Sequence, residues 1–214
     1  MGDNAENLKE EYWSRFANTF DRNQEYVVGR ELLDEIYREL NGLPELGETV
    51  EFGCGTGCFT EKIADRCKTL LATDLSDSLL EAARTRFQDN EKVTVQKENC
   101  MNPSFSPESF DAVFLANLIH IIENPGKTLQ ECYRILRGNG RILIVTFTPY
   151  GMSLWEKIKL GVRFFKTWGK PPRHTHSFSP EDVEKMLGEI GFLIEQSKLL
   201  GNKTKTLFLL ARKS

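Results

Sequence analysis

The chain has 214 residues, 40% hydrophobic and 28% charged, with a formal net charge of -3. That length suits one large domain and can bury a core without disulfides or metal. The charge gives no electrostatic case for nucleic acid, and no nucleic-acid partner is expected.

The opening segment is polar and acidic. It lacks the apolar stretch of a secretory signal, and Glu6 stands where a myristoylation pattern needs Ser or Thr. No apolar run approaches the length of a membrane span, so a cytoplasmic location is expected. The five cysteines are odd in number and form no CxxC pair, which reads as reduced thiols with no metal site.

In chain order, residues 5–21 read as a helix with Leu8, Tyr12, Phe16 and Phe20 four apart on one face. A second helix is expected from Tyr26 to Leu40, stopped by Asn41-Gly42. Thr49–Phe52 reads as a strand, Thr56–Arg66 as a helix and Thr69–Thr73 as a strand. Ser76 suits the N-cap of a helix reaching Phe87. Strands are expected at Lys92–Lys97 and Phe110–Ala116, then a helix from Thr128 to Leu136 stopped by Gly138-Asn-Gly140. Arg141–Phe147 is the most hydrophobic strand. Met152–Trp168 reads as a basic aromatic helix, and Ser179-Pro180 opens another that ends at Gly191. Phe192–Leu200 and Thr204–Ala211 finish as a hairpin-like pair.

Alternating strands and helices with near-continuous apolar strands predict an α/β fold. The expected form is a Rossmann-like, doubly wound, mostly parallel seven-stranded sheet with an antiparallel C-terminal strand and helices on both faces. We divide residues 1–214, read as one domain, into cap helices (1–46), a cofactor-binding core (47–147), a lid or substrate insertion (151–178) and a C-terminal helix and hairpin (179–214).

The central motif is Glu51-Phe-Gly-Cys-Gly-Thr-Gly57, between a strand and a helix. Glycines there permit a sharp turn and a close ligand approach, and the crevice at the strand ends is the expected ligand site. A dinucleotide fingerprint would be GxGxxG. Here Cys58 takes the third glycine's place and the spacing is GxGxG. Glu51 suits a ligand with an ammonium and a sulfonium better than a pyrophosphate.

On these residues the sequence resembles the class I S-adenosylmethionine-dependent methyltransferases (methyltransferase type 11), closest to the small-molecule branch that includes the quinone-biosynthesis enzymes. The likeness is densest over residues 47–147. It implies S-adenosylmethionine as cofactor. It also implies that Asp74, which ends the second strand, takes the ribose hydroxyls; the alternative for Asp74 is a helix-entry role. Glu98-Asn99-Cys100 stands where the family usually has Gly-Asp-Ala. Asn99 would meet the adenine amine through its side-chain carbonyl, without the charge, and the Cys100 backbone would meet the ring. Asn117, after the fourth strand, would lie near the methionine end through its backbone carbonyl. Tyr12-Trp13-x-x-Phe16-Ala17-x-x-Phe20-Asp21 resembles an aromatic helix that covers the cofactor, with Tyr12 as the expected contact; an ordinary amphipathic helix is the alternative. The expected cofactor-binding set is Tyr12, Glu51, Gly53, Cys54, Gly55, Gly57, Asp74, Leu75, Asn99, Cys100 and Asn117.

Methyl transfer needs an in-line nucleophile and excluded water, and a base only when the nucleophile arrives protonated. His120, His174 and His176 are the histidines, with His120 and His176 carried forward as catalytic candidates. Residues 154–173 combine aromatics with Lys and Arg against one acid, Glu156. That pattern reads as a lid helix or as peripheral membrane contact, and the second reading favours a lipophilic, quinone-like acceptor among small molecules. Rival readings are a nicotinamide-dependent oxidoreductase and a non-catalytic S-adenosylmethionine-binding module. An arsenic methyltransferase would want clustered substrate cysteines, whereas Cys54, Cys58 and Cys67 lie in or near the glycine turn. Composition fixes neither the oligomeric state nor the acceptor atom.

Overall fold

The computed structural model describes residues 12–171 and 175–214. Leu8 and the start of the expected first helix lie outside them, as do Arg173 and His174. Seven strands form one sheet: β1 (Gly47–Phe52), β2 (Cys67–Asp74), β3 (Val93–Lys97), β4 (Phe110–Ala116), β5 (Leu136–Thr148), β6 (Phe192–Leu200) and β7 (Lys205–Lys213). Their order is β3-β2-β1-β4-β5-β7-β6. Strands β1 to β5 pair in parallel, and β7 runs antiparallel to both neighbours. The chain reverses its direction of travel across the sheet between β1 and β4, which is where an open α/β sheet forms its ligand crevice.

The helices are α1 (Phe20–Val28), α2 (Arg30–Asn41), α3 (Thr60–Ile63), α4 (Asp77–Phe87), α5 (Pro125–Ile135), α6 (Leu154–Trp168) and α7 (Pro180–Ile190). Alternation along each strand divides the core in two. Phe114, Leu143, Val145 and Phe208 face Ile36, Leu40, Ile63 and Leu80 from α2, α3 and α4. Val113, Leu115, Ile142 and Leu207 face Leu129, Ile135, Val183 and Leu187 from α5 and α7. Helices thus cover both faces, as the near-continuous apolar strands require.

Several boundaries follow local chemistry rather than periodicity. Within the described residues, the expected first helix is interrupted at Arg15 and Phe16, passes through a 3-10 turn at Ala17–Thr19 and resumes as α1. The break between α1 and α2 falls at Gly29, whose φ of 96° is left-handed, and not near residues 22–25. The helix expected from Thr56 begins only at Thr60, because residues 54–59 are occupied by turns such as Gly57 N–H to Cys54 O at 2.9 Å. Gly138-Asn-Gly140 does not form a loop before a strand. It lies within β5 as a bulge, with Leu136 opposite Phe110, Arg141 opposite Ala112 and Asn139 at φ 63°. By contrast the N-caps at Ser76 and Ser179 match the sequence: their hydroxyls accept from Leu79 N–H and Asp182 N–H.

Candidate active site

The carboxyl ends of β1, β2 and β4 open into a cavity of about 420 Å³. Of the expected cofactor-binding set, all but Tyr12 and Gly57 line it, and so do His120 and His176. None of the five cysteines forms a disulfide.

The three glycines of the turn all have left-handed backbones, but for different ends. A Cβ on Gly57 would stand 2.4 Å from the Phe87 ring, so this glycine is required by packing against α4. A Cβ on Gly53 would stand 2.8 Å from Leu118 Cδ1. At Gly55 a Cβ would meet only the Phe20 ring of α1, at an ordinary contact distance of 3.7 Å, so this is the least crowded of the three. Gly55 is therefore the glycine of the turn with room beside its backbone for a close approach.

Glu51 is fully buried at the end of β1. One carboxyl oxygen accepts from the Thr60 hydroxyl, while Oε1 is buried with no hydrogen-bond partner. Burial, with Asp74 nearby, pushes its pKa up to about 8 despite the Thr60 hydroxyl. Asp74 holds the turn in place: Gly55 N–H donates to Oδ2 at 3.0 Å and Ser76 N–H to Oδ1 at 2.9 Å. The second of these is the helix-entry role open to Asp74.

Asn99 turns its side-chain carbonyl back to accept Met101 N–H at 2.9 Å, so the acceptor offered to an adenine amine is engaged within its own loop. Asn117 sits at φ 54°, an uncommon backbone for a residue with a Cβ, and its N–H donates to Val145 O at 2.7 Å. Both polar atoms of its side-chain amide are buried without a partner. The sequence pointed to the backbone of Asn117, whereas the side chain is the group that lacks a partner.

Tyr12 lies apart from the cavity: its hydroxyl donates to Trp168 O at 2.9 Å. Its neighbour Trp13 lines the cavity, together with Phe20 and Gln24 of α1. Phe20 stands on the expected aromatic face, whereas Trp13 lines the cavity in place of Tyr12 because the interruption at residues 15–16 changes the helix phase. Trp168 is buried at the end of α6, with the rings of Trp13, Phe16 and Phe20 4.9–5.4 Å away. Asp21 accepts from Thr56 and pairs with Arg86, tying α1 to the glycine turn and to α4.

The far half of the cavity is chiefly apolar, with Ile121, Ile122, Phe147, Leu160, Phe164 and Trp168 in its wall. His120 and His176 share that wall, and His176 N–H donates to His120 O at 2.8 Å. His120 Nδ1 is 2.9 Å from the Thr146 hydroxyl. Burial, reinforced by His176, drives its pKa down to about 4, so His120 is neutral at pH 7. His176 Nε2 lies 2.9 Å from Ile122 O, and a carbonyl can only accept, so Nε2 carries the proton.

The near half suits S-adenosylmethionine on the structure's own terms. A buried carboxyl oxygen without a partner calls for a donor such as an ammonium group, and the Gly55 backbone leaves room for close approach. A pyrophosphate would meet Glu51 and Asp74 instead of cationic partners.

Comparison with known proteins agrees. The Methyltransferase domain family matches residues 50–144. An uncharacterised methyltransferase of Schizosaccharomyces pombe is 29% identical over 92% of this chain and 76% of its own length. A ubiquinone biosynthesis O-methyltransferase of Nitrosomonas europaea is 25% identical over 90% of this chain and 85% of its own. A solved S-adenosylmethionine-dependent methyltransferase of Thermotoga maritima superposes with a TM-score of 0.71 at 22% identity, covering 95% of this chain and 99% of that one. With the sheet order, the glycine turn and the buried acid before it, these likenesses give the chain the fold of the class I S-adenosylmethionine-dependent methyltransferases, with a methyltransferase domain matched at residues 50–144.

Proposed function

We propose that the chain methylates a small, lipophilic, ring-bearing acceptor of the quinone-precursor kind, at a group that arrives protonated. The observation that carries this reading is the composition of the far half of the cavity, where aromatic and aliphatic side chains enclose two histidines. The Nitrosomonas likeness points the same way.

Bound S-adenosylmethionine supplies the activated methyl group. In this reading Glu51 Oε1 accepts from its ammonium, Asp74 from its ribose, and the Asn117 amide hydrogen-bonds at its methionine end. The Gly55 backbone lets it lie close, with Trp13 and Phe20 as a roof. The apolar wall excludes water and holds the acceptor in line. His176 carries its proton on Nε2, which leaves Nδ1 as an acceptor for the nucleophile's proton. His120, neutral through burial, borders the same space without adding charge.

Label transfer from S-adenosylmethionine to a panel of acceptors tests the proposal. Hydroquinones and catechols with short isoprenoid tails should be labelled in preference to polar amines. Turnover confined to polar amines would remove the lipophilic-acceptor reading while leaving the methyltransferase assignment intact.

A further inference from the structure

Helix α6 presents two apolar faces, and the cavity uses one. Leu160, Phe164 and Trp168 line the site. On the outer side Leu154, Trp155, Ile158, Val162 and Phe165 are 73%, 72%, 48%, 48% and 65% exposed. Their spacing places them in one stripe about 100° wide along the helix. A contiguous row of large apolar side chains on a soluble surface marks an interaction site, unlike scattered single ones.

The rim of the stripe identifies the partner. Lys157, Lys159 and Lys166 are exposed along α6, and Lys170 is exposed just beyond its end. The helix has one acid, Glu156, and its carboxylate is engaged in the N-terminal capping box with Ser153. The basic rim is thus local, on a chain whose net charge is -3. Two copies meeting through this stripe would bring like-charged rims together, whereas anionic headgroups complement them. The 15 residues of α6 span about 22 Å, too short to cross a bilayer core of about 30 Å but suited to lying flat in its interface. No described helix is long and apolar enough to cross a membrane.

We infer that α6 is an interfacial docking helix that seats the protein on an anionic lipid bilayer through Leu154, Trp155, Ile158, Val162 and Phe165. The helix that walls the acceptor half of the cavity is then also the one held at the bilayer. The inference does not depend on the acceptor proposed above, because the stripe lies outside the cavity lining.

Co-sedimentation of the full chain with phosphatidylcholine vesicles, with and without phosphatidylglycerol, tests it. Binding to the anionic vesicles at low salt is expected. Raising salt to about 0.5 M, which shortens the Debye length to roughly 4 Å, should weaken it. The double variant Trp155→Ser/Phe165→Ser should bind at least about tenfold more weakly, since two large apolar anchors are lost. Circular dichroism and S-adenosylmethionine titration should show that variant still folded and competent for cofactor. Absence of wild-type binding to anionic vesicles at low salt would overturn the inference, as would equal binding by the double variant. A concentration-dependent dimer abolished by the double variant, with no vesicle binding, would assign the stripe to a second copy instead.

Discussion

The near and far halves of the cavity are built in different ways. At the strand ends, the near half comes from short segments that directly follow β1, β2 and β4, and each brings its own backbone turn. Its characteristic groups are a glycine with room above it, a buried carboxyl oxygen and a buried amide. The far half is assembled from α6, the loop after β4 and the segment leading into α7, which are distant in sequence and held by packing around Trp168 and by His176 N–H to His120 O. A turn is specified locally, so a few residues suffice to read it. A packed wall is specified by its partners, and a single segment does not name them.

Substitutions can separate the two modes of construction. The largest effect is expected within the glycine turn itself. Gly57→Val forces a branched side chain onto φ 86° and into the Phe87 ring. Strain and overpacking together should cost about 3 kcal/mol or more of stability, read as a fall in Tm. Gly55→Ala brings its methyl group only into ordinary contact with the Phe20 ring, so its strain cost is about 1 kcal/mol, and the main loss should be affinity for S-adenosylmethionine. If both variants lost stability equally with unchanged affinity, Gly55 would not face the ligand.

His176→Gln probes the far half. The glutamine amide can still donate to Ile122 O but has no basic nitrogen. We expect kcat to fall about 100-fold, with the cofactor's Kd unchanged and the pH–rate profile flattened. An unaltered pH profile would reduce His176 to a structural hydrogen bond.

The pH dependence of stability also separates the halves, which contribute with opposite signs. Glu51 has its pKa raised to about 8 from 4.5, so its contribution is fully present below 4.5 and is lost as pH rises through 8. His120 has its pKa lowered to about 4 from 6.5, so its contribution is present above 6.5 and is lost as pH falls through 4. In cofactor-free protein the two slopes oppose each other between about 4.5 and 6.5, and the Glu51 decline stands alone above that window. Thermal melts across pH should show Glu51→Gln removing the alkaline decline and His120→Asn removing the acid one.

What was legible follows the same division. Strand identities, the caps at Ser76 and Ser179, the glycine turn and the placement of Asp74 depend on near neighbours, and the sequence displays them. The late start of α3 and the bulge in β5 depend on how a turn competes with a helix or a ladder, which periodicity does not weigh. Trp13 lines the cavity in place of Tyr12 because the helix breaks at residues 15–16, while Phe20 lies on the face that the sequence displayed. The partner of Trp168 lies more than a hundred residues away, and only the fold brings Trp13, Phe16 and Phe20 to it. For Asn117 the one visible sign was its place after the fourth strand; neither its left-handed backbone nor its unpartnered amide has a sequence signature.

The central claim is that the buried, protonated Glu51 is the acceptor for the cofactor's cationic end. Calorimetric titration of S-adenosylmethionine at pH 7, in two buffers of different ionisation enthalpy, tests it directly. An ammonium against Glu51 Oε1 should ionise the carboxyl, so the wild type should release nearly one proton on binding. Glu51→Gln should release none and bind about 100-fold more weakly, as expected for losing a buried charged hydrogen bond. Equal affinity in the two proteins, or binding by the wild type without proton release, would contradict the account.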